Sequence, residues 1–405
     1  WGHQQITLPN GLEIVYLHDP NQEVFKLDMV VPAGSYNQPQ PVVASSMLNL
    51  LNEGTRKHTA DEIAELFDYH GAYVDFNCGV HKSEISMISL NKYAKETIRM
   101  VAEMILESVF PQKELEIYIR NRKQQHLVSI EKTAYLARME FIYRLYGDTH
   151  PYANRFTLED FDRVTPEILM NFYKERMQAS RCRIMLCGNI NEGVLREVNE
   201  AFTPMGNLPL PETEQFAMHP YAPGRYHVSK PDAVQTSIRI GKSGVSLLDE
   251  EYTDFQILNM ILGGYFGSRL MSNIREEKGY TYGIGSYNVN LPLAAYWMIA
   301  TDVNADQAEA TIDECMKEIR RLQTEPVPEE ELHLVKSYFN GELLRELDGV
   351  FAQSDALKHK LNYGTDNTFY FRIIDRIRTC TAEDITRMAN KYLRPEEMYI
   401  ITAGR

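Results

Sequence analysis

The sequence lacks any stretch of about 18 consecutive apolar residues, the length at which a segment becomes a candidate membrane helix. No apolar segment of the signal-peptide type follows Trp1, Gly2 and His3. Basic residues are outnumbered, because 42 lysines and arginines face 56 aspartates and glutamates, which gives a formal net charge of −14. That charge disfavours nonspecific binding to nucleic acids and to anionic membranes. We therefore expect neither a membrane nor a nucleic acid as a partner.

Cysteine is rare and irregularly spaced. The five cysteines are odd in number, and the separation of Cys182 from Cys187 is not the usual spacing of a zinc knuckle. They are expected to be ordinary buried thiols in a reducing compartment. The predicted location is therefore cytoplasmic, with the periplasm as second choice.

The sequence signatures of several protein classes are also missing. There is no G-x-S-x-G nucleophile motif, and no cysteine and histidine stand at a recognisable catalytic spacing. Gly263, Gly264 and Gly267 follow a predicted helix at 253–262, whereas a dinucleotide cradle needs G-x-G-x-x-G directly after a strand. An independent hydrolase of these classes and a nucleotide-binding protein are therefore disfavoured.

What the sequence does contain is an internal repeat. Segment 165–168 resembles 381–385, and the offset from 165 to 381 is 216 residues. Segment 183–188 resembles 399–404, and the offset from 188 to 404 is again 216 residues, while 110–115 resembles 327–332 at nearly the same offset. Chance similarity rarely keeps its register over half a chain, so these pairs indicate an internal duplication.

A proline-rich interval separates the two halves. Residues 203–224 contain five prolines and almost no apolar periodicity, which is typical of a linker. We predict an N-terminal domain at 1–203, a linker at 204–224 and a C-terminal domain at 225–405. Runs of paired strands followed by paired helices indicate the α+β class. Each of the two homologous domains is therefore expected to be a mostly antiparallel sheet packed by helices.

Segment 263–290 is predicted to be a helix followed by a strand. Phe266, Leu270 and Ile274 repeat every four residues, as on the buried face of a helix. Gly279 stands where a left-handed residue would end that helix. From Tyr280 onward the residues alternate with the period of a strand. The segment thus predicts a sharp corner between the two elements.

Arg275 and Tyr282 lie on either side of this corner. Arg275 would leave the last helical turn and Tyr282 the start of the strand, so both side chains could be directed at one point. In the other half of the repeat, the register of Gly71 with Gly279 places the apolar Phe67 and Val74 at these two positions. The two halves thus share their apolar packing positions, whereas the arginine and tyrosine occur in the second half alone. The simpler alternative is a surface arginine and a half-buried tyrosine.

Several motifs occur in the order and at the spacing found in the insulinase/pitrilysin family of zinc peptidases. Together with the duplicated α+β plan, they make the whole chain resemble that family, in its two-subunit bacterial branch similar to mitochondrial processing peptidase. The motifs are Leu-Pro-Asn-Gly-Leu at 8–12, Asn-Glu-Gly-Thr at 52–55, Gly-Asp-Thr-His-Pro-Tyr at 147–152, Thr-Pro-Glu at 165–167, Cys-Gly-Asn at 187–189 and the segment 262–282.

Catalytic members of that family carry an H-x-x-E-H helix just before the Gly-Thr element, in which two histidines bind zinc and the glutamate activates water. The matching positions of this sequence hold Ser45, Leu48 and Asn49. The third ligand of the family, a glutamate on a later helix, corresponds to Gln125. None of the eleven histidines falls in another ligand-like pair. The resemblance therefore implies no metal and no cofactor in this chain.

The same family places an arginine and a tyrosine seven residues apart in its C-terminal half, and Arg275 and Tyr282 have that spacing. The family's pair faces the zinc site of the other half or subunit, holds the substrate carbonyl and stabilises the oxyanion that forms during hydrolysis. A guanidinium and a phenol placed in advance suit that task. Gly283 and Gly285 are candidate substrate-binding residues, because an exposed strand there would accept a peptide as an added strand.

The resemblance thus implies the non-zinc-binding subunit of a heterodimeric metallopeptidase that acts on unfolded peptides. A homologous partner would carry H-x-x-E-H and the zinc, and this chain would be inactive alone. One alternative is a non-catalytic assembly protein of the same fold. Another is a peptide-binding protein that pairs with itself, and a homodimer is possible for the isolated chain in either case.

Overall fold

The computed structural model describes residues 2–405 and shows eleven strands and fourteen α-helices in that range. The strands are β1 (Gln4–Thr7), β2 (Glu13–His18), β3 (Val24–Val31), β4 (Tyr73–Asn77), β5 (Ser83–Leu90), β6 (Arg183–Gly188), β7 (Gly224–Ser229), β8 (Gln235–Ser243), β9 (Ile284–Asn290), β10 (Ala295–Asn304) and β11 (Tyr399–Gly404). The helices are α1 (Val43–Asn49), α2 (Ala60–Tyr69), α3 (Ala94–Glu107), α4 (Gln112–Ser129), α5 (Thr133–Tyr146), α6 (Leu158–Asp162), α7 (Pro166–Arg176), α8 (Glu192–Phe202), α9 (Tyr252–Asn259), α10 (Ala308–Thr324), α11 (Glu329–Glu346), α12 (Gly349–Tyr363), α13 (Phe369–Thr379) and α14 (Ala382–Tyr392).

The first compact unit comprises residues 2–126, 154–215 and 346–362. Its strands lie in the order β1-β2-β6-β3-β5-β4, and β2 runs parallel to β6 while the other neighbours are antiparallel. Ile14 of β2 belongs to the main core of this unit, whereas Val15 packs on the opposite face of the sheet against Leu357 of α12. Both faces of the sheet are covered, which is why β2 is apolar on both sides rather than alternating.

The second compact unit comprises residues 127–153, 216–345 and 363–405. Its strands lie in the order β7-β11-β8-β10-β9, with β7 parallel to β11 and the other neighbours antiparallel. Helix α5 packs on β8 and β11. The order repeats that of the first unit from β2 to β4, with the parallel pair in the same place, which is the topology that a duplication predicts. The α+β class predicted from the sequence is confirmed.

These units differ from the predicted boundaries in one respect. Helix α5 precedes residue 203 but belongs to the second unit. Helix α12 follows residue 225, but all of it except Tyr363 belongs to the first unit. The periodicity of a helix shows which of its faces is apolar, but it does not show which sheet will cover that face. Residues 205–223, within the predicted linker, contain no helix or strand.

The cysteines are free thiols, and four of them are buried while Cys78 is half-buried. Burial raises the pKa of Cys187 to about 11 and that of Cys182 to about 12. Such thiols are protonated at neutral pH and unreactive, as expected for buried cysteines. Within residues 2–405, no helix combines the length and the hydropathy that crossing a bilayer would require.

Candidate functional site

The helix of the predicted corner begins later than the sequence pattern suggests. Helix α9 is followed by a π-helical turn at 260–264 and then by a turn at 265–268. The next helix covers 269–277 and is π-helical from Met271 onward. Leu270 and Ile274 are fully buried as predicted, but Phe266 lies before the helix and is 68% exposed. The prediction that Phe266 belongs to the buried helical face is therefore wrong, because the chain turns at 265–268 before the helix starts.

The end of this helix is as predicted. Gly279 has a φ of +65°, a left-handed conformation that glycine adopts without strain. The N–H of Lys278 donates to the carbonyl of Asn273, and the N–H of Tyr280 donates to the carbonyl of Ile274 at 3.0 Å, which satisfies carbonyls at the helix terminus. Gly71 has the same conformation, with a φ of +63°, after α2 in the first unit.

Buried contacts hold the corner against the sheet. A Cβ at Gly263 would lie 2.7 Å from Oγ of Ser286, so only glycine allows this close approach to β9. The Asn259 side chain donates from Nδ2 to the Ser286 carbonyl at 3.1 Å and accepts from Nε1 of Trp297 at 2.8 Å. These buried, satisfied polar groups fix the position of β9 relative to the helix.

Arg275 is half-buried and pairs with no carboxylate in the described part of the chain. Its guanidinium lies over the ring of Phe266, 5.3 Å from the centroid. In residues 2–405 the Arg275 side chain makes no hydrogen bond or salt bridge. Arg269 of the same helix differs, since it makes a two-pronged ion pair with Glu331 at 2.8 and 3.1 Å. The Arg275 guanidinium is thus a positively charged donor group left open to a ligand.

Tyr282 is 93% exposed, so the alternative of a half-buried tyrosine is wrong. It also precedes β9, which begins at Ile284 rather than near Tyr280. The strand starts late because the Thr281 hydroxyl donates to the Asp302 carbonyl at 2.9 Å and accepts from the Gly283 N–H at 3.2 Å, in place of strand-to-strand hydrogen bonds. Within the described chain, the Tyr282 hydroxyl has no hydrogen-bond partner and makes no bond to Arg275.

The strand next to this corner is the edge of its sheet. β9 pairs with β10 on one side and ends the strand order on the other. A Cβ at Gly283 would meet nothing within 4 Å, so the surroundings of Gly283 are open. Gly285 is paired with Ala300, and a Cβ there would come within 2.6 Å of the Tyr287 hydroxyl. Edge strands are where extended peptides add as a further strand. In β9, Gly285 is buried, the Asn259 side chain already donates to the Ser286 carbonyl and the Tyr363 hydroxyl donates to the Asn290 carbonyl.

The window that corresponds to the zinc motif lies on α1 in the first unit. Leu48 is fully buried, whereas Ser45 and Asn49 are half-buried. Nδ2 of Asn49 donates to the Ser45 carbonyl at 2.8 Å, and the Ser45 hydroxyl donates to the Val42 carbonyl at 3.4 Å. A hydroxyl, an alkyl chain and a neutral amide are not the ligands of a zinc peptidase. These residues do not fit the metal that catalytic members of the family carry.

Ser45 and Asn49 line a cleft of about 330 Å³ in the first unit. The residue of α4 that lines this cleft is Arg122, whereas Gln125 is exposed and does not line it. Counting residues from the family motif identified Gln125 as the position of the third zinc ligand, but it did not identify Arg122 as a residue of the cleft. No motif or spacing in the sequence marks Arg122 as a cleft residue.

One cluster in the second unit has the donor atoms of a metal site. Asp254, Cys380 and Asp384 place a carboxylate, a thiol and a second carboxylate within 4.8 Å of one another. Arg376 already occupies the position of a cation, since its guanidinium donates to Asp254 at 2.6 and 2.8 Å and to Asp384 at 2.8 Å. The cluster is an ion-pair network that ties α13 and α14 to α9.

Comparison with known proteins shows which proteins this chain is similar to. Residues 163–339 match the peptidase M16 inactive domain. The chain is similar to the M16 peptidases. An uncharacterized zinc protease of Rickettsia felis is 25% identical over 394 residues, which cover 95% of this chain and 93% of that protein. The non-peptidase homolog YmxG of Helicobacter pylori is 24% identical over 254 residues, 60% of this chain and 56% of that one. The predicted resemblance to insulinase-type zinc peptidases is confirmed.

Solved M16-like structures share the fold over the whole chain. The peptidase M16 inactive domain of Pseudomonas fluorescens superimposes with a TM-score of 0.88 at 24% identity, covering 100% of this chain and 98% of that one. A protease from Helicobacter pylori gives a TM-score of 0.89 at 17% identity, covering 100% and 99%. Names of M16 relatives include both zinc protease and non-peptidase homolog, so the activity of this chain has to be argued from its own residues.

Proposed function

We propose that this chain is the zinc-free subunit of a heterodimeric M16 peptidase and that it acts on unfolded peptides. One observation carries the proposal. Next to the edge strand β9, the corner of the second unit presents two donor groups, Arg275 and Tyr282, that make no hydrogen bond within residues 2–405. The window on α1 offers no ligands for the hydrolytic metal. A chain that has donors for the substrate but no hydrolytic centre would complete the site of another chain.

The two donors would act on the carbonyl of the scissile peptide bond. A substrate strand that pairs with the free edge of β9 would run past Arg275 and Tyr282, and the open space at Gly283 would admit its backbone. Their N–H and O–H groups would donate to the carbonyl oxygen and bind it more strongly as negative charge develops in the transition state. Removing one donor of this kind typically lowers the rate by about 10²–10³.

A homologous subunit with an intact H-x-x-E-H helix would supply the zinc and the glutamate that activates water. The name zinc protease, given to several relatives, supports the existence of such metal-bearing members. The cytoplasm is the proposed compartment, since the buried thiols suit a reducing environment. This chain would contribute substrate binding and oxyanion stabilisation, and no metal.

The test is cleavage of an unstructured fluorogenic peptide by this chain, by the candidate partner and by their equimolar mixture with zinc. We expect cleavage in the mixture and none by either chain alone. Robust cleavage by the partner alone, with no increase on mixing, would contradict the proposal.

A second candidate is a non-catalytic peptide-binding or assembly protein. The name of the Helicobacter pylori relative, non-peptidase homolog, favours it, and the edge strand β9 would serve binding without hydrolysis. In that case the isolated chain would bind an extended peptide tightly, and the mixture would cleave no faster than the partner.

A further inference from the structure

We propose that the cleft on α1, where catalytic relatives hold zinc, binds a carboxylate group, from the C terminus of a peptide or from a small free acid. The cleft measures about 330 Å³, and Gln38, Ser45, Asn49, Arg122 and Asn154 contribute to its lining. That volume is at the lower end for small-molecule sites, which suits one terminal residue rather than a long segment. The residues concerned all belong to the first unit, so the assignment does not depend on the function proposed for Arg275 and Tyr282.

Arg122 supplies the charge and is held in place by aromatic rings. Its guanidinium lies 5.7 Å from the ring centroid of Tyr118 and 5.8 Å from that of Phe161. Nη1 donates to the Tyr118 hydroxyl at 2.8 Å. No carboxylate within residues 2–405 pairs with Arg122, and its other N–H groups stay available. A planar guanidinium that is oriented in advance binds a carboxylate through two parallel hydrogen bonds at low entropic cost.

The other polar residues of the lining are uncharged, and Val42, Val80 and Phe156 add apolar surface. The side-chain oxygen Oε1 of Gln38 accepts from the backbone N–H of Ala44 at 3.0 Å. This bond fixes the side-chain amide and leaves its NH₂ group without a partner in the described chain. Asn154 is held at a φ of +44°, and Asn49 adds a second amide. No aspartate or glutamate lines the cleft, so its formal charge is +1 from Arg122.

This charge selects the class of ligand. A ligand bound beside a single guanidinium is balanced in charge when it carries one negative charge, as a carboxylate does. A phosphate dianion would leave one charge uncompensated. The amide donors would bind the lone pairs of the carboxylate that the guanidinium does not reach.

The test is calorimetric titration of the full chain with an acetylated tripeptide as its free acid and as its amide, and with acetate and inorganic phosphate in parallel. We expect the free acid to bind at least about tenfold more tightly than the amide. Arg122→Gln should abolish that preference. Arg120→Gln, which removes an exposed guanidinium from the same helix outside the cleft, should leave it unchanged. Acetate binding as tight as the peptide acid would identify small free acids as the ligands, and weaker acetate binding would identify peptide ends.

The assignment would be overturned if the peptide acid and its amide bound equally tightly, or if phosphate bound more tightly than the peptide acid. It would also be overturned if Arg120→Gln lost as much of the preference for the acid as Arg122→Gln. A second variant guards against a folding defect in Arg122→Gln. Ser45→Leu fills the cleft and keeps the charge, so it should also abolish binding of the acid while the melting temperature shows that the chain is folded. Retained binding in a folded Ser45→Leu chain would place the ligand elsewhere.

Discussion

Replacing Lys358 by methionine should destabilise the first unit by about 3 kcal/mol. Lys358 lies on α12, which follows residue 225 in the sequence but packs on the sheet of the first unit. Its ammonium nitrogen lies 3.1 Å from a carboxylate oxygen of Asp28, 3.2 Å from Glu84 and 3.5 Å from Asp355. Methionine replaces the apolar part of the lysine side chain with an unbranched apolar chain of similar length and removes the charged ammonium group.

The magnitude follows from the burial of Asp28. This carboxylate is 1% exposed and the Lys358 side chain is 12% exposed. Removing one partner of a buried pair typically costs about 3–5 kcal/mol, because the remaining charge is left uncompensated. Lys26 still lies 3.4 Å from Asp28, so we expect the lower end of that range. For domains of about 150–250 residues, such a loss lowers the melting temperature by roughly 6–12 °C.

The effect should depend on pH in a defined direction. Burial alone would lower the pKa of Lys358, but Asp28, Glu84 and Asp355 outweigh it and raise that pKa above its ordinary value. A group whose pKa is raised on folding stabilises the folded state below its unfolded pKa and loses that contribution as the pH rises through the folded one. The difference in stability between wild type and variant should be constant at neutral pH and should shrink as the pH rises above about 10.4.

Thermal denaturation of the full chain, with Lys95→Met as an exposed control, measures this effect. The control should change stability by no more than about 0.5 kcal/mol. A Lys358→Met melting temperature equal to that of the control would refute the reasoning. Combining Lys358→Met with Asp28→Asn should recover part of the loss, because no buried charge is then left unpaired.

Three further outcomes follow from the site. Tyr282→Phe should lower cleavage by the reconstituted mixture at least about tenfold, with unchanged thermal stability because the side chain is exposed, and steady-state kinetics beside a melting curve measures both. Gly283→Leu should lower the cleavage rate by blocking the addition of a substrate strand. Gly206→Leu, which also places a side chain in open space, should leave the rate unchanged. Equal activity of the two variants would count against substrate binding at β9. Equilibrium dialysis of the chain against zinc should leave no stoichiometric metal, and one tightly held zinc ion per chain would show that the reasoning from the α1 window is wrong.

The corner shows which features of a site can be read from a sequence. Gly279 was predictable because a helix end in a left-handed conformation nearly requires glycine, which is a local constraint. The exclusion of Phe266 from the helix was not predictable from its spacing, since the turn at 265–268 leaves the four-residue period intact. The late start of β9 depends on hydrogen bonds of Thr281 with Asp302, a contact across 21 residues that a strand period does not reveal.

The features that the sequence did not predict depend on contacts between segments that are distant in the chain. The strand orders agree with a duplication, but the placement of α5 and α12 on the sheets of opposite halves depends on which apolar surfaces meet. Arg122 was missed for a related reason. A single arginine in a polar helix resembles a solvated residue until its rings and its cleft are seen together.

Single-turnover cleavage by the wild-type partner, in complex with this chain carrying Arg275→Ala or Arg275→Lys, tests most directly whether Arg275 acts in the partner's active site. We expect the alanine complex to cleave at least about tenfold more slowly than the wild-type complex. Lysine keeps the charge without the guanidinium fork, so its loss should be smaller. The affinity between the subunits should be unchanged in both variants. Cleavage at the wild-type rate by the alanine complex would contradict the claim that this chain supplies Arg275 to the active site of its partner.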